Sequence, residues 1–315
     1  MMAKLYDLVE FRNYLMGQLD HLSLEKPIQD KVETVGKIKK LFPQHADFCD
    51  LTIKDYLSLT QQNQTVIDGI REQISRLDNE IDILSTSMFN NDEYRDKMSE
   101  SKIQGEQFAN NLIISAELEA EIISKITEHS NLLYPALQIN PRSKKWIDPM
   151  VASDPLYLTH NDISLVKELI KPYPELYQNR LRLYEIADRD FSKLPQAQFS
   201  LVLCWDYLNY LSIEKVETYV MQAWNLLRPG GCFMFSYSNG DLAGTSLRAE
   251  SWACAYANSR WLKKLCNEIG YEISEVKDFE TADAFNTHVS LAILKKPGKL
   301  TTVKAAQAMA EIIHI

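Results

Sequence analysis

The stretch FSLVLCWDYLNYLSIEKVETYVMQAWNLLRPGGCFMFSYSN, residues 199–239, carries a strand, a helix, a turn and a second strand in order. Its first seven residues, FSLVLCW, form an apolar run typical of a buried strand. The segment SIEKVETYVMQAWNLLR then reads as a helix. Pro229 stops it, and Gly230 and Gly231 allow the positive φ angles with which the chain returns to the strand GCFMFSYS. A strand, a crossover helix and another strand in this order predict a parallel sheet.

The same alternation of strands and helices extends over residues 134–296. The strand-like runs are YPALQI, PLYLTH, LRLYEIA, FSLVLCW, GCFMFSYS, YEISEVKDF and HVSLAILKK. Helical segments separate several of these runs, which is the pattern of a parallel sheet with crossover helices. No helix separates the last two runs. The predicted fold class is therefore α/β, with a seven-stranded Rossmann-like sheet that ends in an antiparallel β-hairpin.

The first part of the chain has the composition of a helical region. The sequence contains only 10 glycines, and a single one, Gly105, lies between Ile70 and Pro229. Apolar residues spaced alternately by three and four occur at Ile67, Ile70, Ile74, Leu77, Ile81, Leu84 and Met88. This spacing predicts a coiled-coil seam, with an amphipathic helix packed on its own domain as the alternative.

A polar segment, NNDEYRDKMSESK, follows the seam, and a second long helix is expected over 103–133. Two long helices joined by a polar segment predict an antiparallel hairpin or a stalk that self-associates. We therefore divide the chain into a helical oligomerisation or partner-binding region (1–133), an α/β domain (134–296) and a C-terminal tail with a short helix (297–315). A homo-oligomer or a protein partner is expected through the N-terminal helices.

Composition restricts the possible functions. A net charge of −9 and a pI near 5.3 argue against a broad nucleic-acid-binding surface, although PRSKK is a local basic run. No apolar run approaches the ~18–20 residues of a membrane span, and the N-terminus lacks a clean signal core, so we expect a cytoplasmic protein at synthesis. The cysteines are odd in number and contain no CxxC pair, which predicts reduced thiols and no metal site: Cys49, Cys204, Cys232, Cys254 and Cys266.

Residues 199–239, with their LLRPGG turn, resemble the class I S-adenosylmethionine-dependent methyltransferase family. The resemblance covers 134–296, and it implies a cofactor site at the carboxyl ends of the strands. Two segments, RPGG…FSYSNGD and the tail KKPGKLTTVKAAQAM, are also similar in sequence to methyltransferase-like proteins of tailed bacteriophages. That second resemblance implies a place in a phage virion or tail.

The family's glycine-rich cofactor loop should follow the first strand, in YPALQINPRSKKW. Its acidic position falls on Gln138, and its glycine positions fall on Asn140, Arg142 and Lys144. None of these is glycine. Each side chain occupies volume that the cofactor would need, and residues with a Cβ resist the positive φ angles of such a loop.

The resemblance implies two further acidic positions. The position of the family's ribose-binding carboxylate falls on His160 or Asn161. Asp162, which follows, is better explained as a helix N-cap. The acid near the adenine is matched by Asp188, with a turn-capping role for it and its neighbour Asp190 as the alternative. Asp206 follows the fourth strand, in the segment DYLNY that the family places there.

Candidates for substrate chemistry lie near the carboxyl ends of the strands: Asp206, Tyr207, Asn209, Tyr210, Tyr237 and Asn239. The sequence has no Asn/Asp-Pro-Pro-Tyr/Phe run and no cysteine where a pyrimidine-methylating nucleophile belongs, so no catalytic residue is assigned. Trp205, Tyr207 and Tyr210 line a pocket or belong to the core. His288 is expected at the surface or in a turn.

Three functions remain open. In the first, the methyltransferase fold has lost its cofactor and serves as a structural or assembly module. In the second, the protein is an active methyltransferase that uses S-adenosylmethionine through a divergent loop. In the third, the PRSKK segment binds another nucleotide. The missing glycines and the missing ribose carboxylate favour the first.

Overall fold

A computed structural model describes residues 5–22, 26–41, 43–89, 114–130, 133–186, 190–211, 213–250, 257–280 and 288–300. The chain divides into two compact units, Met1–Ser87 and Met88–Ile315. No helix in these ranges is long and apolar enough to cross a membrane. Several predicted features lie outside the described residues: Asp188, Cys254, the polar segment 90–102 and the tail helix beyond residue 300.

The first unit is helical, as predicted. It contains α1 (Leu5–Leu22), α2 (Lys26–Leu41) and α3 (Ala46–Phe89), with a 3-10 turn at Pro43–His45. The 44 residues of α3 carry the predicted seam.

The seam on α3 is partly closed within the single chain. Ile67, Leu77 and Ile81 are buried. The buried Arg12 on α1 lies 3.6 Å from the Asp78 carboxylate on α3, measured from Nη1 to Oδ1. These three seam positions therefore offer no free surface for another chain, and an intermolecular coiled coil stays a prediction.

The second unit contains the predicted seven-stranded sheet. Its strands are β1 (Ala136–Ile139), β2 (Leu156–His160), β3 (Leu181–Glu185), β4 (Phe199–Cys204), β5 (Leu227–Tyr237), β6 (Glu272–Glu280) and β7 (His288–Lys295). They lie in the order β3-β2-β1-β4-β5-β7-β6. Strands β1 to β5 are parallel, whereas β7 runs antiparallel to both β5 and β6. This order with one reversed strand is the class I methyltransferase fold, which confirms the predicted fold class.

Helices cover both faces of this sheet. They are α4 (Ala116–His129), α5 (Ile163–Ile170), α6 (Glu175–Gln178), α7 (Ile213–Leu226), α8 (Ala243–Glu250) and α9 (Ser259–Ile269). One core cluster joins α7 and α9 to one face, and the other joins α4 and α5 to the opposite face. Alternate residues of the strands enter the two clusters, as the two-residue repeat of a strand requires.

The helix predicted over 103–133 is interrupted at Ser115 and ends at His129. Residues 103–113 lie outside the described part, and Ser115 has an extended backbone and caps α4 by accepting the N–H of Leu118 at 3.2 Å. Because an N-cap residue is not helical, α4 cannot continue back through Ser115.

Helix α4 packs on the sheet of the second unit. Leu118, Ile122 and Ile126 are buried in the core cluster of one sheet face. Two ion pairs join α4 to β6, Lys125 with Glu275 and Glu121 with Lys277, each at 2.5 Å. The division between the units therefore falls after Ser87, whereas the sequence pattern placed it at 134.

The Pro-Gly-Gly turn differs in detail from the prediction. Helix α7 already ends at Leu226, and the turn lies inside β5. Gly230 has a φ of +82°, as expected, but Gly231 is not in the positive-φ region. A Cβ on Gly231 would lie 2.7 Å from the Phe199 carbonyl oxygen. The second glycine is thus required by the close approach of β4 and not by its own φ angle.

Candidate functional site

Two cavities lie at the carboxyl edge of the sheet, beside the ends of β1 and β4. The first, here called the tyrosine cavity, has a volume of about 240 Å³, and its walls include Asn140, His160, Asn161, Tyr207 and Tyr219. The second, here called the basic cavity, has a volume of about 370 Å³, and its walls include Gln138, Arg142, Lys144, Lys145, Trp205 and Asp206. The structure thus divides the predicted site residues between two neighbouring spaces.

Asn140 stands directly after β1 with a φ of +52°. Its backbone N–H donates to the Thr159 carbonyl oxygen at 2.7 Å, which holds the turn against β2. Asparagine adopts left-handed backbone conformations more readily than most residues with a Cβ. Asn140 thus adopts a positive φ although residues with a Cβ resist it. Arg142 and Lys144, at the other two glycine positions, do not have a positive φ.

The chain between β1 and β2 contains no α-helix. After Asn140 it forms two 3-10 turns, Lys144–Trp146 and Asp148–Met150. Trp146 and Met150 are buried under these turns. No helix N-terminus therefore points at the carboxyl end of β1, where open α/β sheets bind anionic groups of their cofactors.

His160 ends β2 at the predicted ribose position and is buried. Its Nδ1 accepts the backbone N–H of Asp162 at 2.8 Å, so the neutral ring carries its proton on Nε2. Asp162 is the N-cap of α5, as predicted, because its carboxylate accepts the Ser164 N–H at 3.0 Å. Asn161 is exposed at the edge of the tyrosine cavity. None of the described residues that line this cavity carries a carboxylate, and Asp188 lies outside the described part of the chain.

Three aromatic rings enclose the tyrosine cavity. The ring centroid of Tyr219 lies 5.7 Å from that of Tyr207 and 5.7 Å from that of Phe191. The Tyr219 hydroxyl also donates to the Tyr207 hydroxyl at 3.4 Å. Sequence reasoning found Tyr207 but missed Tyr219, Phe191 and the nearby Lys215. The spacing of Lys215 and Tyr219, four residues apart on α7, was the available signal that both lie on one helix face.

Asp206 sits at a sharp bend after β4, with a φ of +51°. Its N–H donates to the Ser236 hydroxyl at 2.7 Å, and its Oδ1 accepts the Tyr210 hydroxyl at 3.1 Å. The carboxylate is buried beside the basic cavity. Asn209 is also buried, and its Oδ1 has no hydrogen-bond partner in the described part of the chain.

Arg142 and two tryptophans shape the basic cavity. The Arg142 guanidinium carbon lies 5.5 Å from the Tyr207 ring centroid and 6.0 Å from that of Tyr210. The rings of Trp146 and Trp205 are 4.9 Å apart at an angle of 42°. Trp205 therefore lines a pocket and also belongs to the buried core of one sheet face. The position of Trp146 was not predicted, because the sequence does not show that its turn folds under the sheet edge.

Tyr237 and Asn239 lie outside both cavities. Asn239 donates from Nδ2 to Oδ1 of Asp278 at 3.3 Å, and Ser290 donates to the same oxygen. Burial raises the pKa of Tyr237 above its ordinary value. Asn239, Asp278 and Ser290 form a polar cluster beside β5, β6 and β7, whereas the buried Tyr237 hydroxyl has no hydrogen-bond partner in the described part of the chain. Likewise, Asp190 caps a turn, accepting the Ser192 N–H at 2.9 Å.

The described cysteines are buried free thiols: Cys49, Cys204, Cys232 and Cys266. Burial raises the pKa of Cys232 and of Cys266 to about 12, so neither forms a thiolate readily. Among the described residues, no group of three or more His, Cys, Asp or Glu side chains could hold a metal ion. His288 is the first residue of β7.

The sequence matches no protein-family model and no curated protein. Similar solved structures include the N-methyltransferase NodS from Bradyrhizobium japonicum WM9 with S-adenosyl-L-homocysteine, at 14% identity over 56% of this chain and 87% of that chain, TM-score 0.44. A putative S-adenosylmethionine-dependent methyltransferase from Listeria monocytogenes is 13% identical over 58% of this chain and 99% of that chain, TM-score 0.46. The [4+2]-cyclase SpnF is 9% identical over 57% and 81%, TM-score 0.45. Our assignment of the fold relies on the strand order in the sheet itself.

Proposed function

We propose that this protein is a methyltransferase-fold module that does not use S-adenosylmethionine and acts by binding or assembling with other molecules. The observation that carries the proposal is the chain between β1 and β2. It leads from Asn140 into two short 3-10 turns and presents basic side chains where the family has a glycine-rich loop. The residues present do not fit the cofactor.

Charge is the first reason for the poor fit. S-adenosylmethionine carries a sulfonium, an ammonium and one carboxylate, so it is a net cation at neutral pH. Among the described residues, the basic cavity is lined by Arg142, Lys144 and Lys145 and by one carboxylate, Asp206. Lys144 and Lys145 also pair with Asp148 and Glu119 outside the cavity lining. Like charges at close range are unfavourable, most of all where water is partly excluded.

The ribose position is the second reason. A carboxylate would accept hydrogen bonds from both ribose hydroxyls, but His160 offers an imidazole whose Nδ1 already accepts the Asp162 N–H. A lost charge-assisted hydrogen bond removes ~1.5–3 kcal/mol. This corresponds to about a tenfold to hundredfold loss of affinity.

The helical unit supports a role in binding other proteins. Large apolar side chains are exposed there, among them Leu41 at 73%, Phe48 at 72% and Leu51 at 62%. Exposed apolar side chains of this size are typical of interaction surfaces when they lie together. An assembly role in a phage particle is supported by the sequence resemblance of the RPGG region and the tail to methyltransferase-like proteins of tailed bacteriophages.

An active methyltransferase with a divergent loop is the second candidate, and Asn140 favours it. The left-handed conformation at this position preserves one turn of a glycine-rich loop without glycine. The charge of the basic cavity and the missing carboxylate weigh against this candidate.

Thermal unfolding with and without cofactor tests the proposal. A ligand present at a hundred times its Kd stabilises the folded protein by about 2.7 kcal/mol. We expect no shift of the unfolding midpoint with S-adenosylmethionine or S-adenosylhomocysteine at millimolar concentration. A shift that saturates with cofactor concentration would support the enzyme instead.

A further inference from the structure

We propose that the basic cavity binds a small aromatic anion of the nucleoside-monophosphate type. This inference depends on the proposed function, since it assigns a different ligand to the edge of the sheet where the sulfonium cofactor does not fit. The cavity volume of about 370 Å³ lies within the ~300–1,000 Å³ range of small-molecule sites.

The cations at the cavity suit a phosphate. Arg142 and Lys144 are both half-buried at its wall. Lys144 is 3.9 Å from the exposed Asp148 carboxylate, and such exposed pairs contribute only ~0–1 kcal/mol, so a phosphate replaces this partner at little cost. Arginine and lysine side chains are the usual protein ligands of phosphate oxygens.

The apolar side of the cavity suits a flat ring. Trp146 and Trp205 meet at 4.9 Å and are 8% and 5% exposed, and the small exposed part of each borders the space together with Leu169. Stacking of a nucleobase on an aromatic side chain contributes ~1–3 kcal/mol without regard to base type. An inorganic anion alone would leave this wall without a partner.

The remaining polar groups are acceptors. Gln138 is 2% exposed, and its Oε1 has no hydrogen-bond partner among the described residues. Asp206, at the same wall, accepts the Tyr210 hydroxyl on Oδ1. An N–H group on the edge of a nucleobase supplies the donor that Gln138 requires. Phosphate, aromatic ring and ring N–H groups together define the ligand class.

The test titrates the full chain with AMP, GMP, CMP and UMP, with tryptophan fluorescence and calorimetry as readouts. We expect at least one of them to bind saturably below about 1 mM, and its nucleoside without the phosphate to bind at least about tenfold more weakly. Inorganic phosphate should displace the nucleotide only at much higher concentration.

Two variants and one matched control locate the site. Arg142→Gln and Lys144→Gln should each weaken binding by about tenfold or more, while Lys171→Gln, on the exposed Lys171 that pairs with Glu168, should bind like the wild type. Circular dichroism confirms that each variant is folded, and Lys144→Gln serves if Arg142→Gln does not fold. The inference is overturned if no monophosphate binds, if a nucleoside or inorganic phosphate binds equally well, or if both variants bind like the wild type.

S-adenosylmethionine in the same assay separates the two proposals. Saturable binding of this cofactor would contradict the proposed function. Failure of all four monophosphates, with no binding of S-adenosylmethionine, would overturn the nucleotide inference alone.

Discussion

The backbone N–H of Asp162 donates to Nδ1 of His160 at 2.8 Å, so the side chain at the family's ribose position is held by its own loop. His160 is buried beside β1, and Asp162 at the same time caps α5 through its carboxylate. One pair of residues thus terminates β2, orients the imidazole and begins the next helix. Both side chains therefore have structural roles at the end of β2.

Replacing His160 tests this role. We expect His160→Leu to lower the free energy of unfolding by about 0.5–1.5 kcal/mol, because the Asp162 N–H loses its acceptor at a partly buried position. His160→Asn keeps an oxygen close to the position of Nδ1 and should lose less. Urea unfolding of the two variants gives the comparison, and equal stability of both would show that the hydrogen bond is unimportant.

Helix α4 should be needed for the stability of the sheet. A fragment of residues 114–300 should fold, whereas a fragment of residues 134–300 should not, because it exposes the sheet face that Leu118, Ile122 and Ile126 cover. Each of these side chains contributes about 1.5–3 kcal/mol by burial. Circular dichroism and thermal unfolding of the two fragments measure the difference.

The ion pair between Glu121 and Lys277 provides the control for that experiment. Both side chains are partly exposed, so Glu121→Gln in the longer fragment should change stability by less than about 1 kcal/mol. A stable fragment of residues 134–300 would instead support the boundary indicated by the sequence pattern.

Stability should decrease in mild acid through His129. Burial lowers the pKa of His129 below its ordinary value of 6.5, and Lys125 and Lys295 lower it further, against the opposing effect of Glu128 and Glu275. The unfolded chain therefore binds the proton more readily than the folded chain. Stability is unaffected above pH 6.5 and falls as the pH decreases from there to the folded-state pKa, by at most about 1.4 kcal/mol per pH unit.

Urea unfolding at several pH values between 7.5 and 5 measures this effect. In His129→Gln the decrease between pH 6.5 and pH 5.5 should be smaller than in the wild type. An identical decrease in both proteins would assign the acid sensitivity to other groups.

Self-association should depend on exposed residues of the helical unit and not on the buried seam. We expect Phe48→Ser combined with Leu51→Ser to reduce the mass measured by light scattering while the helix content is kept. Ile81→Asp places a charge at a fully buried position and should unfold the unit. A wild type that is monomeric at all concentrations would contradict self-association and leave a different protein as the partner.

Local sequence patterns predicted most strands of the sheet but not the structure of the loops and cavities at its carboxyl edge. The apolar runs around β4 and β5 specify buried strands by composition alone, and the absence of a helix before β7 indicates the hairpin. Local sequence patterns could not predict the positive φ angle of Asn140, because several residue types tolerate a left-handed conformation when packing enforces it. Tyr219 enters the cavity from a helix distant in sequence from β1, so only the tertiary fold brings it there.

The start of α4 illustrates the same limit. Apolar residues continue the helical spacing on both sides of Ser115, so periodicity alone did not show where the helix begins. The packing of Ile122 and Ile126 on the sheet decides which residues become helical. Tertiary contacts likewise decide to which unit a helix belongs.

The most direct test of the central claim is isothermal titration of the wild-type chain with S-adenosylmethionine and, separately, with S-adenosylhomocysteine. The matched control is the variant Asn140→Gly, Arg142→Gly, Lys144→Gly and His160→Asp, which removes the side chains at the glycine positions and supplies the carboxylate. We predict no measurable heat of binding for the wild type and at most weak binding for the variant, since neighbouring side chains occupy the space. Micromolar binding by the wild type that the variant loses would contradict the account and make Arg142 or Lys144 a ligand of the cofactor carboxylate.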